Sequence, residues 1–224
     1  MIAYHPSIEQ GSPEWLAARC GLITASETKL IITPTLKVAA NDKVKMHLYE
    51  LAAQRITQFV EPSYTTFDME RGNFDEIEAR ILYHDKITPV QEMGFITNDK
   101  WGFIVGYSPD GLVGDEGQIE IKSRKQKFQV QAIVTDVIDS DYIIQLQTGL
   151  LVSERKWCDF IQYSNGMPLY VSRCYPDEVI QKAIIEAVGD FEGNLAKVIE
   201  QYMTNAAKYI MTDRKVYEYE IIIT

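Results

Sequence analysis

Three side chains in one short stretch have the types and spacing to hydrolyse a phosphodiester. In "GYSPDGLVGDEGQIEIKSRK" (106–125), Asp110 follows a proline, and Glu120, Ile121 and Lys122 stand together further on. Side chains alternate faces along a strand, so Ile119 and Ile121 share one face and Glu120 and Lys122 the other, roughly 7 Å apart. The "GDEG" turn returns the chain so that Asp110 lies beside Glu120. Two neighbouring carboxylates repel, and each raises the other's pKa unless a cation sits between them. Mg2+ suits that place because it is hard, oxygen-seeking and held by one or two carboxylates plus waters and substrate phosphate. A lysine alongside can position or deprotonate the attacking water, or stabilise the phosphorane. Two carboxylates, a lysine and a metal make a phosphodiester-hydrolysis set. A solvated hairpin with a surface Glu–Lys pair would show the same letters, so the rest of the chain must decide.

The elements that would position this set can be read from punctuation and period. "GSPEWLAARCG" (11–21) has Ser12 as N-cap, Pro13 at the first helical position and Gly21 at the end. "LITASETKLIIT" (22–33) reads as a turn into a short helix starting near Thr24 to Ser26. A longer helix is predicted at about 41–60, with Val44, Leu48, Leu51 and Ile56 on one face. A loop over "EPSYTTFDMERGN" leads to the helix "FDEIEARILYHDK". Short, turn-separated β-rich runs follow, then helices at about 126–135 and 140–153. Two strands joined through Asn165-Gly166 and a long helix at about 176–204 complete the pattern. The architecture expected is α/β, with a central mixed sheet flanked by helices, in a single domain of residues 1–224. Residues 206–224 could form a C-terminal extension, and "KVYEYEIIIT" (215–224) reads as an edge strand or an intersubunit strand.

Composition narrows the function. The net charge is −10 over 224 residues, which argues against a broad basic DNA-binding face but not against a locally basic cleft. The run "KSRKQK" (122–127), with Lys37, Lys43 and Lys45, could supply such a track. Three cysteines without a CxxC pair point to free thiols in a reducing compartment. No stretch is apolar enough to span a membrane, and the N-terminus lacks a signal-peptide pattern, so the expected location is cytoplasmic. No P-loop, GxGxxG, GxSxG or HExxH occurs.

Pro109-Asp110 followed by Glu120-Ile121-Lys122 resembles the signature of the PD-(D/E)XK nuclease superfamily, whose core is restriction-endonuclease-like. Four blocks sharpen this. "EQGSPEWLAARCGLITASE" (9–27), "RGNFDEIEAR" (71–80), "YSPDGL" (107–112) and "DYIIQLQTGLLV" (141–152) resemble, in order, blocks of the lambda exonuclease family. The resemblance implies Asp110, Glu120, the Ile121 carbonyl and Glu76 as metal ligands, and Lys122 as the catalytic lysine. Gln145 would orient the water or the scissile phosphate. Arg19, Ser26 and Ser108, with Thr24 nearby, would hold a 5′-terminal phosphate, and Met69 would be an apolar wedge parting the end base pairs. A threonine–alanine–serine at a helix start would add free backbone N–H groups for the anion.

The implied activity is a Mg2+-dependent 5′→3′ exonuclease, with Mn2+ as a substitute, acting on double-stranded DNA ends and leaving a 3′ overhang. The implied assembly is a homotrimeric ring, the partner a single-strand annealing protein, and the origin a phage or prophage in a bacterial host. Two other enzyme readings stay open: a restriction-type endonuclease and a RecB-type repair nuclease. The RecB pattern expects a tyrosine where Gly149 stands, four residues after Gln145. A non-enzymatic scaffold with a decayed nuclease fold would lack one of Asp110, Glu120, Lys122 or Glu76, and none is missing.

Overall fold

The computed structural model describes residues 1–62 and 67–215, without the side chains of residues 67–69. In chain order the elements are β1 (Ile2–His5), α1 (Pro13–Arg19), β2 (Ile23–Thr24), α2 (Thr28–Ile31), α3 (Asp42–Thr57) and α4 (Phe67–Lys86). Then come β3 (Phe95–Asn98), β4 (Val105–Tyr107), β5 (Gly111–Val113), β6 (Gly117–Ser123), α5 (Gln126–Thr135) and α6 (Ser140–Ser153). β7 (Trp157–Tyr163), β8 (Tyr170–Cys174) and α7 (Glu178–Ala206) complete the described chain.

Polar caps start the helices where the sequence places them. Ser12 Oγ accepts from the Trp15 N–H at 3.1 Å, and Asn41, Asp139 and Asp177 cap α3, α6 and α7 in the same way. Two expectations change. α2 begins at Thr28, not near Thr24 to Ser26, and is a single turn. α4 runs through "DMERGN", which reads as loop. Gly72 costs about 1 kcal/mol in a helix interior relative to alanine, but the packing of α4 on β6 and β7 holds it helical.

The strands form two four-stranded mixed sheets rather than one. The first has the order β1-β3-β4-β2 and the second β5-β6-β7-β8. β2 runs parallel to β4, with Thr24 opposite Gly106; β6 runs parallel to β7, with Glu120 opposite Phe160. A bridge between Gln91 and Leu112 links the segment before β3 to β5. α6 packs on β3, β4 and β7, so it touches both sheets. The alternation predicted for β6 holds: Ile119 and Ile121 pack with Ala79 and Tyr83 of α4 and with Ile161, leaving Glu120 for the other face. The three cysteines are free thiols; Cys158 is buried, and Cys20 and Cys174 are half-buried.

One buried carboxylate ties α4 to the second sheet. Asp159 on β7 is buried, accepts from Arg173 on β8 through Nε at 2.7 Å and Nη2 at 2.9 Å, and accepts from Tyr83 Oη at 2.6 Å. Arg173→Ala strands that carboxylate. Because Arg173 is itself partly solvated, the expected loss of stability is about 2 kcal/mol, below the cost of breaking a fully buried pair. Urea unfolding at constant m-value measures it.

Candidate active site

β5 starts at Gly111, opposite Ile119, so β6 runs four residues beyond its neighbour, to Ser123. The backbone of Ile121 is therefore open on that edge, and Asp110 fills the corner: its Oδ2 accepts from the Ile121 N–H. The N–H and C=O of one residue leave a strand by the same edge, so the Ile121 carbonyl faces the corner too. Glu120, 2% exposed, points to the side away from the isoleucines. Its Oε1 accepts from Lys122 Nζ at 2.7 Å and from Gln145 Nε2 on α6, and its Oε2 from Tyr107 Oη at 3.1 Å. Glu76 reaches the same corner from α4. Arg80 ties it there, donating to Glu76 Oε1 at 3.4 Å and to the Asp110 carbonyl at 3.1 Å.

The charges are arranged under tension. Burial, then the Glu120 and Glu76 charges, push the Asp110 carboxyl well above its ordinary range. Burial also raises Glu76, with Arg80 opposing and Glu120 adding to the shift. Burial would lower the Lys122 ammonium, but Glu120 and Asp110 outweigh it and hold it above its ordinary value. Such a corner favours a dication, which relieves the repulsion between the carboxylates. The donors fit Mg2+, being hard oxygens from Asp110, Glu120, the Ile121 carbonyl and Glu76. Among the described residues no three acidic, histidine or cysteine side chains form a ready-made ligand set, so backbone oxygen and water would complete the shell.

A second cluster lies two residues upstream of Asp110. Ser108 accepts from Trp15 Nε1 of α1 at 2.8 Å. The Trp15 ring carries the Arg19 guanidinium 4.1 Å from its centroid. Arg19 Nη2 donates to Thr24 Oγ1 at 3.2 Å, and Thr24 Oγ1 lies 3.2 Å from Ser26 Oγ. Burial lowers the pKa of Arg19, and Glu27 partly restores it. This is a desolvated cation beside three hydroxyls, an arrangement that an oxyanion would complete. Of the N–H groups expected at this helix start, those of Thr24 and Ala25 are not part of it. The Thr24 N–H goes to Glu27 Oε2 at 3.1 Å, that of Ala25 to the Gly106 carbonyl at 2.9 Å, and that of Glu27 to the Thr24 carbonyl at 2.9 Å.

The structure thus gathers Asp110, Glu120, Lys122, Glu76 and Gln145 at one corner, and Arg19, Thr24, Ser26 and Ser108 at a second that adjoins it through Pro109. Gln10 braces the join, donating to the Pro109 carbonyl at 2.9 Å. Met69 falls in the first turn of α4, and its side chain lies outside the described residues, as do residues 216–224 of the tail. Sequence reasoning missed Trp15, Tyr107 and Arg80. Only Arg80 left a signal, its i,i+4 spacing from Glu76.

A YqaJ-like viral recombinase domain profile matches residues 14–156. An alkaline exonuclease from Laribacter hongkongensis, LHK-Exo, is 32% identical at TM-score 0.76, covering 88% of this chain and 99% of that one. The same protein in complex with dAMP aligns at 34% identity and TM-score 0.78, with the same coverage. A phage-related exonuclease from Haemophilus somnus 129PT shares the fold at 13% identity and TM-score 0.58, covering 80% of this chain and 96% of that one. Among curated proteins no relative matches. The fold is the PD-(D/E)XK nuclease fold. Profile match and identity together show that the chain belongs to the YqaJ-like viral recombinase family, of lambda exonuclease type.

Proposed function

We propose that this chain is a Mg2+-dependent 5′→3′ exonuclease that degrades one strand of linear duplex DNA from a 5′-phosphorylated end, leaving a 3′ overhang for strand annealing. The observation that carries this reading is the joining of an oxyanion cluster to a carboxylate corner through the three-residue segment Ser108-Pro109-Asp110. An end-reading nuclease needs a terminal phosphate fixed a short distance from the bond to be cut. The exonuclease activity named for LHK-Exo, and its complex with a nucleoside monophosphate, support the same reaction class.

Asp110, Glu120, Glu76 and the Ile121 carbonyl would hold Mg2+, or Mn2+ in its place. A bound divalent cation supplies a more acidic water and a Lewis acid for the phosphoryl oxygens. Lys122, whose Nζ donates to Glu120 Oε1 at 2.7 Å, stands where it can position the attacking water or stabilise the charge of the phosphorane. The Gln145 amide keeps Glu120 in place and can turn a hydrogen toward the incoming water. Arg19 takes the 5′ phosphate, with Ser26 and Ser108 as hydroxyl donors and Thr24, which donates to Glu27 Oε2 at 2.6 Å, holding the guanidinium beside them. Beyond β6, Arg71, Arg124, Lys125 and Lys127 line a hollow of about 500 Å3 that gives the backbone a basic path on an acidic protein.

The assembly we assign is a homotrimeric ring that also meets a single-strand annealing protein. Exposed apolar side chains on α4 (Phe74, Ile77, Ile81) and on α5 (Val130, Ile133, Val134) form two different faces, as head-to-tail ring contacts require. The test is digestion with Mg2+ of linear 5′-phosphorylated duplex against covalently closed circles. Linear ends should be consumed and closed circles left intact. Cutting of closed circles at a comparable rate would replace this reading with an endonuclease.

A further inference from the structure

We propose that Tyr107 is a positioning residue for this site: its phenol, admitted by the missing side chain at Gly149, locks the Glu120 carboxylate in a single orientation for a divalent cation. The inference rests on the metal-site reading above. Tyr107 belongs to β4 of the first sheet, and Glu120 to β6 of the second. The phenol reaches from one sheet to the other and donates to Glu120 Oε2 at 3.1 Å, with both residues buried.

Room for the ring comes from α6. Gly149 stands four residues after Gln145, so both lie on one face of the helix. A Cβ added at Gly149 would fall 2.7 Å from Tyr107 Cζ and 2.9 Å from Cε2. The ring therefore occupies the place of a side chain. One helix face supplies both the amide that holds Oε1 and the gap that seats the donor to Oε2.

Lone pairs show what this achieves. An ionised carboxylate has about four acceptor sites, two on each oxygen. Lys122 and Gln145 use both on Oε1, and Tyr107 uses one on Oε2. One site on Oε2 is left, aimed by the other three. Without the phenol the carboxylate can turn about its last bond, and the remaining lone pair loses its direction. Partners of metal ligands typically cost 10–100-fold in metal affinity or activity when removed.

The test is Mn2+ titration by electron paramagnetic resonance, beside hydrolysis rates and metal-free melting curves. Tyr107→Phe keeps the ring over Gly149 and removes only the hydroxyl. It should weaken Mn2+ binding about 10-fold or more and lower kcat, with KM for DNA ends unchanged and melting near that of the wild type. Gly149→Ala should weaken Mn2+ binding too, because the methyl displaces the ring while the phenol remains. A Tyr107→Phe protein that binds Mn2+ at the wild-type midpoint overturns the inference and leaves the metal site standing. A Tyr107→Phe protein that loses stability with no change in Mn2+ affinity also overturns it, since the hydroxyl would then serve only the core. A wild-type protein that binds no Mn2+ removes the metal-site reading itself, and this inference with it.

Discussion

Asp110→Asn should slow hydrolysis of linear duplex at least about 100-fold while raising the melting temperature of the metal-free protein. The two effects have opposite signs for one reason. Asp110 is buried beside Glu120 and Glu76, and both burial and those charges disfavour its ionised form. A neutral amide of the same shape removes the repulsion, and its oxygen can still accept from the Ile121 N–H. Folding gains, but the corner loses the charge that would draw a dication. Rates of acid-soluble nucleotide release, read beside thermal melts in chelator, measure both. Equal losses of activity and stability would mean that Asp110 serves packing rather than chemistry.

Arg19→Ala should erase the preference for phosphorylated ends. A hydrogen bond to a charged group contributes about 1.5–3 kcal/mol, so the rate ratio of 5′-phosphorylated to 5′-hydroxyl duplex should fall about 10- to 100-fold. The loss should fall on phosphorylated ends alone, because a 5′-hydroxyl end never engaged the guanidinium. Arg19 is poised for this by its seat on the Trp15 ring and by burial that leaves its charge short of solvent. Arg19→Lys should recover only part of the ratio, since an ammonium cannot make the two-pronged contact or stack as flatly. Parallel losses on both ends would place Arg19 in the scaffold of α1.

Much of the carboxylate corner was legible because it rests on local rules. Strand alternation alone put Glu120 and Lys122 opposite Ile119 and Ile121, and the turn returned Asp110 to them. The helix cap at Ser12 was equally local. What escaped depends on distant partners. Tyr107 meets Glu120 across 13 residues and two sheets, and Trp15 meets Ser108 across 93. β2 is two residues long and exists only because β4 lies beside it. The start of α2 was misplaced because Ile23 and Thr24 pair with β4 and the Ala25 N–H goes to the Gly106 carbonyl, distant contacts that keep the chain extended there. Gly72 and Asn73 looked like loop residues, yet the buried face of α4, with Ala79 and Tyr83 in the core, overrides their propensity.

The central claim is that the protein reads a 5′-phosphorylated end and removes nucleotides from it. A linear duplex with one strand labelled at its 5′ phosphate and the other at its 3′ terminus, digested with Mg2+, tests that most directly. The account predicts early release of the 5′ label as a mononucleotide while the 3′ label stays on a long single strand. Early release of the 3′ label, or a 5′ label released only on internal fragments, would contradict it.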